Sequence, residues 1–310
     1  MFGLLKKRTY PIGVDISGEE LKMAQLRESK DGIIFVAGAA ESCPVSIEPA
    51  SSEWQRWAID TLKNMLEQRR FSGKDVIAAI PPSEVFIEHI KVSKTNGKKL
   101  DEVVIEKAKQ KLPIELDNAM VKYIPAEEDN FIVIAADRQN INRHLAIYEN
   151  AGMNINTMGV WPGALTNTYV KFFGRRKTDL EAVVMLLDIC RSRTNLVICR
   201  HKNLLFAKSI SIGFKHLDNE QVINRLVMEI DSSRGSFTRQ FSQARPERLV
   251  FISGSSVDRD VCTSIARQIK LPAQIGDCLS AVQIKNGVDI ERRNSQFSWA
   301  SSFGLSMSEV

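Results

Sequence analysis

A chain of 310 residues, 44% hydrophobic and 25% charged, is long enough for two folded units and has the composition of an ordinary soluble globular protein. Its net charge of +5 is spread along the chain with few interleaved aromatics and no discernible nucleic-acid-binding module, which argues against a nucleic-acid function. The five cysteines (43, 190, 199, 262 and 278) form no close pair and the four histidines no H-x-x-x-H spacing, so neither a disulfide framework nor a local zinc motif is expected.

No apolar run approaches the roughly 20 residues of a membrane span. The opening Phe2-Gly3-Leu4-Leu5, followed by Lys6-Lys7-Arg8, is too short for a signal peptide and carries its charges on the wrong side.

From Tyr10 the chain reads as three strands, PIGVDISGEELKMAQLR, the turn ESKDG, then IIFVAGAAE. A turn-rich link with Pro44 and Pro49 leads to SEWQRWAIDTLKNMLEQRR. Its apolar residues at 54, 57, 58, 62, 65 and 66 have helical spacing, with Ser52 the expected N-cap. The run DVIAAI is a buried strand stopped by Pro81-Pro82.

The pattern after these prolines is an alternating strand (VFIEHIKV), a polar loop around Gly97 and a helix from about Leu100 closed by Pro113. Strands near 120–124 and 131–137 follow, then a helix with apolar residues at 141, 145 and 148 that stops at Gly152. This is a small α+β module of about 70 residues, inserted into the first unit, which resumes at INTMGVWPGALTNTYVKFF.

Beyond a basic linker at 174–179 the opening unit recurs: AVVMLLDICRSRTNLVICR, HKN, LLFAKSISIG. Both copies end their first strand in Asp-Ile, at Asp15-Ile16 and Asp188-Ile189. Two copies of one unit predict two related lobes whose aspartates face a shared crevice. A helix over about 219–241, the strand ERLVFISG, the helix VDRDVCTSIARQIK, the short strand PAQIG and a last helix of small and apolar residues from Phe297 complete the chain.

The stretches FGLLKKR with GVDISGEELKMAQL, VIAAIPPSEVFIEHIKV, IVIAADRQNINRHLAIYENAGMNI, LVMEIDSSRGSFTRQF with RLVFISGSS, LPAQIGDCLSAV, and SWASSFGLSM resemble the type IV pilus assembly PilM family of the actin-like ATPase superfamily, related to the division protein FtsA. The resemblance implies an α/β, actin-like (ribonuclease H-like) two-lobed fold with duplicated mixed sheets and an inserted small α+β subdomain. Residues 1–81 and 153–177 would form the first lobe, 82–152 the insertion in FtsA-like placement, and 178–310 the second lobe with a shortened insertion at about 214–246.

It further implies a nucleotide site of Asp15, Lys22, Asp188, Thr194 and Gly254, in which Asp15 and Asp188 hold magnesium if nucleotide binds. The sequence departs from that pattern: Ser17-Gly18-Glu19-Glu20 follows Asp15-Ile16, Cys190 stands where glycine is expected, Gly254 is followed by Ser255, and Val160-Trp161-Pro162 lacks an acid to orient water. The expectation is ATP with magnesium bound weakly or no cofactor at all, and no hydrolysis.

The function implied is a cytoplasmic scaffold, peripheral at the inner membrane, that grips the N-terminal peptide of a single-span PilN-type protein. Cytoplasmic pilus motor proteins and a second copy of the chain are further candidate partners, and membrane contact would be indirect. The competing reading is an active actin-like ATPase or a filament-forming FtsA-like protein.

Overall fold

Apolar residues alternate or run continuously through the opening segments, and in a computed structural model describing residues 8–68, 71–92, 99–285 and 297–308 they form sheet. The residues before 8, residues 93–98 where the loop around Gly97 is expected, and the last two residues lie outside the described residues. Strands β1 (Thr9–Ile16), β2 (Glu20–Ser29) and β3 (Gly32–Ser42) are an antiparallel meander. Helix α1 (Ser52–Gln68) buries Trp54, Ala58, Leu62 and Met65 against it. Its cap is Ser51 and not Ser52: the Ser51 Oγ accepts the Trp54 amide at 3.1 Å, which places the helix start one residue earlier than its apolar phase alone suggests.

Strand β4 (Asp75–Ile80) lies parallel to β1 and ends at the two prolines. The module then contributes β5 (Val85–Lys91), α2 (Leu100–Lys109), β6 (Ala119–Pro125) and β7 (Asn130–Asp137), in a three-stranded antiparallel sheet of order β5-β7-β6. Helix α3 (Arg138–Asn150), capped by Asp137, divides its apolar residues: Ile141 packs on the module, while Ile147 and Tyr148 join the core under α1. Strand β8 (Asn154–Val160) returns beside β4, and α4 (Trp161–Thr168), prolonged by a π-turn over Tyr169–Phe173, leads away from the first sheet.

After α5 (Lys177–Glu181) come β9 (Val183–Ile189), β10 (Thr194–Arg200) and β11 (Asn203–Ile210) as a second meander. Helix α6 (Glu220–Gln240), β12 (Arg248–Phe251), α7 (Arg259–Ile269), β13 (Ala273–Ile275) and β14 (Gln283–Ile284) follow. The two main sheets have one topology: β3-β2-β1-β4-β8 in the first, with β14 added outside β3, and β11-β10-β9-β12-β13 in the second. In each, two antiparallel pairings precede two parallel ones. The repeat read in the sequence is therefore a structural duplication.

Helix α8 (Ala300–Ser306) is buried along its whole length between α4 and the first sheet. Thr168 Oγ1 donates to the Ala300 carbonyl at 2.7 Å and Ser306 Oγ to the Pro11 carbonyl at 2.8 Å. Small side chains let three backbones meet here, which is why this stretch is rich in serine, alanine and glycine. No helix among the described residues is long and apolar enough to cross a membrane.

Candidate functional site

The two copies of strand-Asp-Ile place their ends on either side of a cleft of about 270 Å³, lined on one side by Asp15, Glu20 and Lys22 and on the other by Cys190, Arg191 and Arg193. Within it Lys22 Nζ stands 3.0 Å from Asp15 Oδ2 and 3.5 Å from Glu20 Oε2, with the lysine side chain only 3% exposed. Strand register makes this pairing: Asp15 and Lys22 are cross-strand partners in the β1–β2 hairpin. Burial opposes the ammonium charge, but Asp15 and Glu20 outweigh it and hold Lys22 well above the ordinary lysine range.

Asp188 lies buried behind the cleft wall, where its Oδ1 accepts from Ser298 Oγ at 2.5 Å and its Oδ2 from the Cys190 thiol at 3.2 Å. Burial pushes the carboxyls of both Glu20 and Asp188 upward against the pull of Lys22. Burial and then Asp188 push the Cys190 thiol well up, so it is a poor nucleophile.

The Asp188 shift has a checkable sign. Its folded pKa lies above the reference value of 3.8, so the proton's stabilising contribution is present below that value and is lost as pH rises through the folded pKa. Asp188→Asn keeps an acceptor for Ser298 and has no proton to lose. Its stability relative to the native chain should therefore grow from about pH 3.5 upward and then level off, as read from denaturant midpoints up to about pH 8. A difference that stays flat with pH would contradict this.

Four amides of the turns around the cleft are taken up locally. Ser17 Oγ accepts from the Glu19 and Glu20 amides at 3.3 and 3.0 Å, while the Ser17 amide bonds the Glu20 carbonyl at 2.7 Å. Across the cleft the Cys190 amide bonds the Arg193 carbonyl at 2.8 Å. Glu19 then joins the two lobes: one carboxylate oxygen accepts from Ser192 Oγ and the other pairs with Lys215 Nζ at 2.5 Å.

Of the residues singled out in the sequence, Asp15, Lys22 and Asp188 converge. Thr194 is fully buried, its hydroxyl donating to the Ile212 carbonyl at 2.7 Å, and does not line the cleft. Gly254 turns the chain at φ +66 beside Asp277, also outside the cleft lining. Ser298, Ser192 and Lys215 were not legible as site residues, because each meets its partner across more than 100 positions. Among the described residues no three His, Cys, Asp or Glu side chains are gathered to hold a metal.

A second feature opens beyond Pro82, Ser83 and Arg193, where edge strands β5 and β11 face each other across a groove of about 500 Å³. His89 spans the gap: its Nε2 accepts the Ala207 amide at 3.2 Å, and its ring stacks on Phe206 at 4.2 Å between centroids. Burial, with Lys111 adding to it, lowers this imidazole to about 4, so it is neutral at physiological pH.

A family model described as type IV pilus assembly protein PilM matches residues 13–240. The chain belongs to that family. Among solved structures, a chain of a PilM-PilN type IV pilus biogenesis complex is similar with a TM-score of 0.76 at 18% identity, covering 96% of this chain and 98% of that one. The ethanolamine utilization protein EutJ from Carboxydothermus hydrogenoformans has a TM-score of 0.53 at 12% identity, covering 96% and 89% respectively. These likenesses show the fold, which is the actin-like one that the family resemblance implied. No curated protein matches the chain. The PilM match runs from β1 through the module between β4 and β8 to the end of α6.

Proposed function

We propose that this PilM-family chain is a cytoplasmic scaffold of a type IV pilus machine, held at the inner membrane by the N-terminal peptide of a single-span PilN-type partner. The likeness over nearly the whole of both chains to a PilM-PilN complex supports it. Residues 82–152 would act as a distinct subdomain that walls the peptide site through β5.

The observation that carries the non-enzymatic half of the reading is that several polar groups of the cleft are paired with one another. A magnesium triphosphate would need free carboxylates and free amides. Asp15 is paired with Lys22, Asp188 already accepts two hydrogen bonds, and the turn amides at 17, 19, 20 and 190 are bonded within their own turns. Glu19 and Glu20 line the same cleft as Asp15, each paired with a lysine of the chain, and Arg191 and Arg193 stand in the lining with them. The residues present do not fit the group, so no catalytic step is assigned to it.

Calorimetric titration with ATP and magnesium is expected to show no stoichiometric binding. Sub-micromolar binding, or turnover lost in Asp188→Asn, would support the actin-like ATPase reading instead.

A further inference from the structure

The two hairpin turns on either side of the interlobe cleft are each fixed to their own lobe. On the first lobe the Glu19 carbonyl accepts the Cys43 amide at 2.8 Å, and Ser17 Oγ accepts the amides of Glu19 and Glu20. On the second lobe the β9–β10 turn is seated on the turn that follows β11. The Cys190 carbonyl accepts the Phe214 amide at 2.9 Å, and the Arg191 carbonyl accepts the Lys215 amide at 3.1 Å. Only glycine fits at 213, since a Cβ there would lie 2.4 Å from both the Arg193 nitrogen and the Cys190 carbonyl oxygen. Ser192 and Lys215 therefore belong to one tightly packed piece and Glu19 to another.

Glu19 crosses between these pieces. One carboxylate oxygen accepts from Ser192 Oγ and the other meets Lys215 Nζ at 2.5 Å. Arg191 and Arg193 line the cleft beside it. The Arg193 guanidinium donates to Ser211 Oγ at 3.3 Å, and neither arginine forms an ion pair among the described residues. Glu20, the other acid of the first turn, is buried against Lys22 at 3.5 Å.

A hydroxyl and three cations on one lobe are the donors that an oxyanion needs, with charge and hydrogen bonds directed at separate oxygens. The chain brings its own carboxylate to them. We propose that this is an oxyanion site filled from within: the Glu19 carboxylate stands in for a phosphate-type group, ties the two turns together, and shuts free oxyanions out. The inference rests on the reading of the cleft as one that takes no nucleotide, and it names the side chain that keeps it so. Lys215 and Glu19 are 39% and 30% exposed, so their pair contributes little to global stability and variants at 19 should fold.

The test uses the full chain with metal-free inorganic pyrophosphate as the probe, read by thermal unfolding and hydrogen exchange. The native chain should show no saturable response. Glu19→Ala empties the site, and Glu19→Gln keeps its shape without the charge. Both should bind pyrophosphate at least roughly tenfold more tightly than the native chain, with Tm rising as the logarithm of its concentration. Exchange at the amides of 19, 20 and 190 should quicken in Glu19→Ala and slow again with pyrophosphate. Adding Lys215→Ala to Glu19→Ala should abolish the response. An equal response in the native chain, none in either variant at 19, or one that survives in the double variant overturns the filled site and leaves the scaffold reading intact. Stoichiometric binding of ATP with magnesium to the native chain overturns both.

Discussion

Gly304→Val is expected to remove the native fold at ambient temperature, or to destabilise it by about 3 kcal/mol or more where folding persists. A Cβ at Gly304 would sit 1.8 Å from the Ala164 carbonyl oxygen and 2.5 Å from its carbon. Both are backbone atoms of α4, so no rotamer change relieves the overlap, and α8 would have to move off its neighbour. On its other face α8 is equally constrained, since a Cβ at Gly13 would lie 2.0 Å from the Ser302 carbonyl oxygen. The helix that closes the chain is thus wedged between α4 and β1 with no room to retreat.

Gly163→Ala on α4 is the matched control. Nothing lies within 4 Å of the added methyl, and alanine favours a helix over glycine by roughly 0.5–1 kcal/mol. Equilibrium unfolding of the pair should show opposite signs, with Gly304→Val far below native and Gly163→Ala at or slightly above it. Similar effects at both sites would mean that helix propensity, and not the α4–α8 contact, dominates.

Lys22→Met is expected to destabilise the folded chain by about 3–5 kcal/mol at neutral pH. The lysine is 3% exposed and is the cation between Asp15 and Glu20. Its removal leaves two carboxylates facing each other in a poorly hydrated cleft, which costs far more than an exposed ion pair contributes. The loss should shrink in acid, where the carboxylates take up protons, and Lys22→Met combined with Glu20→Gln should recover part of it.

Because the folded pKa of Lys22 is raised above 10.5, its own titration removes its contribution only as pH rises through that folded value, while in acid the contribution fades as Asp15 and Glu20 take up protons. Denaturant midpoints of the single and double variants at neutral and acid pH measure these effects. A loss no larger than that of a surface lysine would show that Lys22 is not the counterion of the cleft.

The lobes were legible in the sequence because a strand, an aspartate and a hairpin recur with the same apolar pattern, and local pattern decides local structure. Helix α7 was legible from its apolar phase, and the structure starts it after Asp258, which caps it by accepting the Asp260 amide at 2.7 Å. With adjacent serines at 51 and 52, one residue of helical phase decided the cap. The contacts that give the cleft its character were not legible. Ser298 on Asp188, Ser192 and Lys215 on Glu19, and β14 beside β3 join segments far apart in the chain, and no local spacing encodes such meetings. The same holds for α3, whose evenly spaced apolar residues serve two different cores.

On the proposed reading, a chain whose Asp15, Glu19 and Glu20 are paired with its own Lys22 and Lys215 should grip its partner without nucleotide. The direct measurement is the affinity of the full chain for the PilN-type N-terminal peptide, by calorimetry, in the presence and absence of ATP and magnesium. The account predicts the same affinity in both conditions. Binding that requires ATP, or that changes by roughly tenfold when ATP is added, would contradict it.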